Sequence, residues 1–174
     1  MEKIRIAIDQ TDTHDFERVV DTVATARKIY IVGFRSSSFL AGYLNFYFHL
    51  LFKNVIYVQN TAAGEIYEQM IHIGPGDVMV GISFPRYSNM GIHAMQLAHD
   101  RGADVVAITD SQMSPLYPLA TAALLVRCEA LAYVDSLAAP LSLMNALILA
   151  VGRRKRDEVA HVFSEMERVW SKYS

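Results

Sequence analysis

The chain has 174 residues, a length that suits one domain with a substantial core. Hydrophobic residues make up 52% of it and charged residues only 20%, which excludes a disordered chain and predicts an extensive buried interior. The net charge of -2 gives no general reason to expect nucleic-acid binding, and the single cysteine, Cys128, excludes an internal disulfide and a multi-cysteine metal site. Such cysteine usage fits a reducing cytoplasm, and no apolar stretch reaches the length of a membrane span.

A helix is predicted ahead of the first strand, with Thr13 as its cap. Apolar residues recur there at helical spacing: Phe16, Val19, Val20 and Val23. Residues 1–12 before it are interpreted as a linker or an N-terminal extension, and the whole chain, 1–174, as a single domain.

Five short runs rich in β-branched residues follow, and they are apolar without alternation, as strands covered on both faces must be. They lie at 29–32, 55–58, 78–83, 105–109 and 123–126. Segments of helical character separate them, at 37–52, 63–73 and 89–101, with a short turn at 115–120. This alternation predicts an α/β fold: a three-layer αβα sandwich around a five-stranded parallel sheet of flavodoxin-like order 2-1-3-4-5.

The chain closes with two predicted helices. Asp135 or Ser136 starts a strongly apolar helix, the segment 152–156 (Gly-Arg-Arg-Lys-Arg) interrupts it, and an amphipathic helix runs from Asp157 to Tyr173. We interpret the basic run as complementing the carboxyl end of the apolar helix rather than as a DNA contact.

The predicted helix after the first strand carries an excess of aromatic side chains: Phe39, Tyr43, Phe46, Tyr47, Phe48 and Phe52. Two interpretations remain open. The excess forms a homodimer interface, or it packs tightly against the leading and trailing helices.

Two hydroxyl-rich loops, residues 33–38 (Gly-Phe-Arg-Ser-Ser-Ser) and 83–88 (Ser-Phe-Pro-Arg-Tyr-Ser), follow the first and third strands and lead into helices. Such a loop presents backbone N–H groups, side-chain hydroxyls and the positive end of a helix dipole to one point, which favours an anion. A single loop of this kind is often only a helix cap. In the order 2-1-3-4-5, however, both loops meet at the crevice where the sheet changes winding direction.

These loops, together with Gly76-Asp77-Val78, residues 106–111 (Val-Ala-Ile-Thr-Asp-Ser) and Ser114-Pro115-Leu116, resemble the sugar isomerase (SIS) domain family. Within it, the chain is most similar to the C-terminal effector domain of RpiR-type bacterial transcriptional regulators. The resemblance implies a dimer that binds a phosphorylated sugar, with the phosphate held by Ser37, Ser38, Ser83 and Ser88. The full predicted ligand-binding set is Gly33, Arg35, Ser36, Ser37, Ser38, Glu65, Ser83, Arg86 and Ser88.

Two arginines depart from the isomerase pattern. Arg35 stands where isomerase members usually have a second glycine, and Pro85-Arg86 stands in place of a Ser-Gly pair. Glycine lets backbone approach a phosphate closely, whereas arginine reaches out with a fork suited to phosphate or carboxylate. The departure favours sensing over catalysis, although both arginines also suit solvent exposure or a salt bridge at a dimer contact.

An isomerase remains the alternative, and Glu65, just after the second strand, is its candidate base. Glu65 equally suits the first turn of a helix, where the dipole favours an acidic residue. A sensor needs no catalytic residue. The six histidines show no metal-ligand spacing, and the loops lack a Walker motif and a dinucleotide fingerprint, so neither a metal nor a cofactor is expected.

We therefore predict a domain that senses a phosphosugar and forms a homodimer or higher oligomer. RpiR-type regulators read DNA through a separate N-terminal helix-turn-helix domain, and no such segment precedes Phe16. The sequence thus predicts either an effector domain separated from its DNA-binding domain or a free-standing SIS protein.

Overall fold

Five parallel strands form the central sheet in the computed structural model of the protein, which describes residues 12–59, 65–128, 130–131 and 134–173. The strands are β1 (Lys28–Gly33), β2 (Val55–Val58), β3 (Asp77–Ile82), β4 (Asp104–Thr109) and β5 (Ala122–Leu125). They lie in the order β2-β1-β3-β4-β5, and each neighbouring pair is parallel. The predicted strand order is confirmed.

Helices cover both faces of this sheet. They are α1 (Thr13–Ala24), α2 (Ser37–Leu51), α3 (Glu65–Gln69), α4 (Asn89–Asp100), α5 (Ala138–Arg154) and α6 (Arg156–Tyr173). A 3-10 turn (Tyr117–Leu119) and a short antiparallel pair, β6 (Ala130–Leu131) and β7 (Val134–Asp135), complete the described elements. The antiparallel pair was not predicted.

Two separate cores show why the strands are apolar without alternation. Ile29 and Ile31 of β1 pack with α1, α2 and α5, whereas Tyr30 and Val32 pack with α3 and α4 on the opposite face. Successive side chains of a strand point to opposite faces, so burial of both faces removes the polar positions. The predicted three-layer α/β sandwich is confirmed.

Three predicted helix boundaries were wrong. Asp12, not Thr13, caps α1, because its carboxylate accepts a hydrogen bond from the His14 amide at 2.7 Å. The apolar helix begins at Ala138 and continues through Gly152, where packing of the buried Val151 keeps it helical, so the break falls at Lys155. In the second crossover, α3 covers only Glu65–Gln69.

The basic run after the apolar helix makes ion pairs within the chain. Arg154 contacts the carboxylates of Glu17 and Asp21 on α1, and the Lys155 ammonium lies 2.6 Å from the Glu158 carboxylate. No helix among the described residues is both long and apolar enough to cross a membrane. Residues 1–11 of the predicted extension lie outside the described residues.

Candidate functional site

The two hydroxyl-rich loops meet at one cavity, at the carboxyl ends of β1 and β3. Its volume is about 230 Å³. Both loops contribute to its lining: Phe34, Arg35, Ser36, Ser37, Ser83, Phe84, Pro85, Arg86 and Ser88. The adjacency of β1 and β3 in the sheet places these loops side by side, as the strand order predicts.

Close packing of α2 on β1 positions the first loop. A Cβ atom at Gly33 would lie 2.6 Å from the Ser37 carbonyl oxygen and 2.9 Å from the Ala41 Cβ, so only glycine fits there. The Tyr57 hydroxyl on β2 donates a hydrogen bond to the Ser38 carbonyl at 2.9 Å, which ties the start of α2 to the neighbouring strand. Gly33 therefore sets the position of the loop without lining the cavity itself.

A second tyrosine positions the second loop. The Tyr87 hydroxyl donates to Asp110 Oδ1 at 2.6 Å, and the Ser111 hydroxyl lies 3.2 Å from the other oxygen of that carboxylate. Burial, reinforced by the hydrogen bond to Asp110, raises the pKa of Tyr87 to about 12. The phenol therefore stays protonated as a donor, and this bond links the loop after β3 to the end of β4.

Both loops place an arginine in the left-handed backbone region. Arg35 has φ 57° and Arg86 has φ 71°, and among the described residues only glycines share a positive φ with them. This conformation costs a residue with a Cβ atom about 1–2 kcal/mol, a cost that glycine escapes. The two strained positions are those where isomerase members of the resembled family have glycine, so the backbone conformation fits the glycine pattern although the side chain differs.

The serines of the loops divide by burial and by bonding. Ser37 and Ser83 are 4% and 6% exposed. Ser36 and Ser88 occupy the N-cap positions of α2 and α4, yet neither side chain makes a capping hydrogen bond. Helix capping, the alternative interpretation of such a loop, therefore does not account for these two hydroxyls.

Two further predicted site residues lie outside the cavity lining. The Ser38 hydroxyl donates to the Arg35 carbonyl at 2.6 Å and so closes the turn that carries Arg35. Glu65 begins α3 and lines a separate surface depression with Tyr57, Gln59, Glu68 and Gln69. The structure thus groups six of the nine predicted residues at the cavity: Arg35, Ser36, Ser37, Ser83, Arg86 and Ser88.

Sequence reasoning gave no role to several residues that shape the site. Phe34, Phe84 and Pro85 line the cavity, and Tyr57 and Asp110 hold its loops. The order of strands offered a signal for the last two, because each lies at the carboxyl end of a strand adjacent to a loop. Among the described residues, no group of three or more His, Cys, Asp or Glu side chains is placed to hold a metal ion.

The SIS domain family model matches residues 22–150, which is most of the chain and includes both loops. The chain belongs to the SIS domain family. The predicted recognition is confirmed, and the cavity lies between two strand-to-helix loops within the matched region of the SIS domain.

Similar proteins include regulators. An uncharacterised HTH-type transcriptional regulator of Caldanaerobacter subterraneus is 26% identical over 176 residues; the match covers 95% of this chain but only 61% of that protein. Among solved structures, the sugar isomerase domain of the RpiR transcription factor of Sphaerobacter thermophilus has a TM-score of 0.89 at 23% identity and covers 96% of this SIS domain and 93% of that chain.

Two further structures of similar fold were solved with ligands. The Vibrio vulnificus NanR protein complexed with ManNAc-6P has a TM-score of 0.83 at 23% identity, covering 98% of this SIS domain and 65% of that chain. An Escherichia coli CFT073 protein in complex with another sugar phosphate has a TM-score of 0.74 at 20% identity, covering 89% and 85%. At these identities the likeness concerns the fold.

Proposed function

We propose that this SIS domain is the effector domain of an RpiR-type transcriptional regulator and binds a phosphosugar in the cavity between its two serine loops. The observation that carries the proposal is the convergence of buried hydroxyls, a helix start and two arginines on one cavity. All of these groups favour an anion. The two structures of similar fold that hold sugar phosphates support the same ligand class.

The size of the cavity suits a small ligand. Its volume of about 230 Å³ lies below the roughly 300–1,000 Å³ of pockets for drug-sized molecules. Phe34 and Phe84 give it apolar walls, as a sugar ring needs beside its polar anchors.

Binding without turnover is the function that the lining favours. Isomerisation of an aldose to a ketose needs a base within reach of the carbon-bound proton. Among the described residues, the lining holds no histidine and no carboxylate, and Glu65 lines the neighbouring depression instead. The phosphosugar isomerase alternative therefore depends on Glu65 reaching a ligand from outside the cavity lining.

A homodimer is part of this proposal. An apolar groove between α2, α5 and α6 is lined by Tyr47, Leu149 and Phe163, among others, and α6 contributes no buried residue. Beyond the groove, α6 continues with the exposed Trp170 and Tyr173. Because each chain carries both an apolar groove and an apolar helix end, two copies related by a twofold axis bury both surfaces.

The dimer is tested by its mass in solution. We expect wild-type protein to sediment as a dimer and Trp170→Glu to sediment as a monomer with unchanged circular dichroism. Arg168→Glu changes an exposed position on the same helix and is the control. A wild-type monomer at the same concentrations would contradict this part of the proposal.

Sensing and catalysis are separated by measuring binding and turnover on the same compounds. We expect several hexose and pentose phosphates to raise the melting temperature, with no isomerised product and no exchange of the C2 proton in deuterated water. Ligand at about 100 times its Kd adds roughly 2.7 kcal/mol, or about 5–10 °C for a chain of this size.

Glu65→Gln identifies the isomerase alternative, with Glu68→Gln in the same depression as its control. Turnover that disappears only in Glu65→Gln would establish an isomerase and contradict the sensor. The absence of any thermal shift with phosphosugars and with inorganic phosphate would contradict binding itself.

A further inference from the structure

The cavity has a buried part and an exposed part. Ser37 and Ser83 are nearly inaccessible, at 4% and 6% exposure, whereas Arg35 and Arg86 are exposed. All four line the same cavity. Hydroxyl donors and the start of α2 therefore form its floor, and the two guanidinium groups belong to its rim.

A phosphate group is best placed on the floor. There, serine hydroxyls and the amino end of the fifteen-residue α2 (Ser37–Leu51) supply neutral donors and a favourable dipole. Small, buried donors enclose a compact tetrahedral group, whereas long exposed side chains do not. The remainder of a phosphosugar then extends from the floor toward the rim, where it meets Arg35 and Arg86.

Guanidinium groups at the rim select for charge rather than for hydroxyls. An arginine presents paired N–H donors that match the two oxygens of a carboxylate or a phosphate. A sugar hydroxyl is both donor and acceptor, so it is better matched by amide or hydroxyl side chains. The described lining carries two positive charges and no negative one, in a chain whose net charge is -2.

The backbone at these arginines supports a role for their side chains. Both residues hold positive φ, at 57° and 71°, where glycine would adopt the same turn without strain. Strained positions of this kind occur mainly at binding and catalytic sites, where the side chain provides what the turn alone does not. The strain therefore points to a ligand contact by each arginine.

We infer that the ligand of this cavity carries a second anionic group, a carboxylate or a second phosphate, which Arg35 and Arg86 bind at the rim. This inference rests on the proposed phosphosugar function. It makes the two arginines the residues that determine specificity among phosphosugars, and it leaves the first phosphate to the serines.

Two matched pairs of compounds test the inference by calorimetry. 6-Phosphogluconate and glucitol 6-phosphate differ only in a carboxylate at C1, and fructose 1,6-bisphosphate and fructose 6-phosphate differ in a second phosphate. We expect the doubly anionic member of at least one pair to bind about tenfold tighter or more, since a charge-assisted hydrogen bond is worth that factor. The pair with the larger ratio distinguishes a carboxylate from a second phosphate.

Arginine variants locate the source of this discrimination. In Arg35→Ala and Arg86→Ala, the ratio within the pair should fall toward one, while affinity for the singly phosphorylated member changes little. Arg168→Ala, at an exposed arginine of α6, should keep the wild-type ratio. Unchanged circular dichroism and melting temperature confirm that each variant is folded.

Three results would overturn the inference. Equal affinities within both pairs would exclude a second anionic group and leave the proposed function intact. A ratio that persists in both alanine variants would exclude Arg35 and Arg86 as its source. If none of the four compounds and no inorganic phosphate bound, the proposed function would fail, and this inference with it.

Discussion

Turns at the two ends of the sheet solve the same backbone problem with different residues. Before β3 and β4, at the amino ends, the residues with positive φ are Gly76 at 82° and Gly102 at 76°. After β1 and β3, at the carboxyl ends, they are Arg35 at 57° and Arg86 at 71°. Glycine stands where the chain only has to turn, and arginine stands where the turn lines a cavity.

The difference is one of backbone strain rather than of space. A Cβ atom at Gly76 or Gly102 would meet its nearest neighbour at 3.9 or 3.5 Å, which is ordinary contact. Glycine therefore avoids only the conformational cost at these two turns. The carboxyl end of the sheet bears that cost twice, which indicates that folding is not what its arginines serve.

The largest expected effect is on the amino end, where an arginine does serve folding. Asp77 is fully buried and accepts two hydrogen bonds from Arg27, each 2.9 Å, and one from the Gly74 amide at 3.1 Å. Asp77→Asn should lower the free energy of unfolding by about 2–3 kcal/mol, because a buried charged acceptor is lost. Urea denaturation measures this loss.

Ligand affinity is the control for that variant. Asp77 begins β3, at the end of the sheet opposite to the cavity, so the Kd for a phosphosugar should stay within about twofold of wild type, an order-of-magnitude allowance for distant sites. A large loss of affinity together with a small loss of stability would reverse the roles that we assign to the two ends.

A smaller loss is expected at the glycine turns. Gly102→Ala should destabilise the chain by about 1–2 kcal/mol, since the added Cβ has room beside Pro75 but the positive φ remains. Urea denaturation again provides the measurement, and Gly42→Ala is the matched control, because Gly42 lies within α2 with space for a Cβ. Equal stability of Gly102→Ala and wild type would remove the energetic basis of the comparison.

Tyr87→Phe should cost about 1 kcal/mol near neutral pH, as the hydrogen bond to Asp110 is lost. The pKa of Tyr87 is raised to about 12, so the folded state favours the protonated phenol. Its contribution to stability is complete below about pH 10, the usual pKa of tyrosine, and is lost as pH rises from about 10 toward 12. Unfolding of both proteins across this range should show their stability difference shrinking, and a difference that grew instead would contradict the bond.

The smallest expected effect on stability is that of Arg86→Gly. Relief of the strained φ and the added freedom of the unfolded chain oppose each other, so the unfolding free energy should change by less than about 1 kcal/mol. Denaturation compared with Gly102→Ala measures this contrast between the two ends of the sheet. A loss as large as that of Gly102→Ala would show that the arginine side chain stabilises the fold.

The sequence predicted the sheet well because its signals are local. Runs such as 29–32 and 105–109 are apolar on both faces, and the alternation with helices determines parallel crossovers. Helix ends were predicted less well. Asp12 displaced Thr13 as a cap, and Gly152 remained helical because tertiary packing outweighs its low helix propensity.

The site was predictable as far as strand order determines it. The position of both loops at one crevice follows from the placement of β1 beside β3, but the distance of Glu65 from that crevice depends on the start of α3, which no spacing reveals. The bonds from Tyr57 to the Ser38 carbonyl and from Tyr87 to Asp110 join residues remote in sequence. The positive φ of Arg35 and Arg86 has no signature in an arginine, which rarely adopts it.

The most direct test of the central claim removes the two buried hydroxyls of the cavity. In Ser37→Ala/Ser83→Ala, we expect the thermal shift produced by a saturating phosphosugar to disappear, with the melting temperature of the free protein within a few degrees of wild type. Ser142→Ala, whose hydroxyl donates only to the Ala138 carbonyl within α5, should keep the full shift. If the double variant kept the full shift, the phosphate would not be bound by these loops.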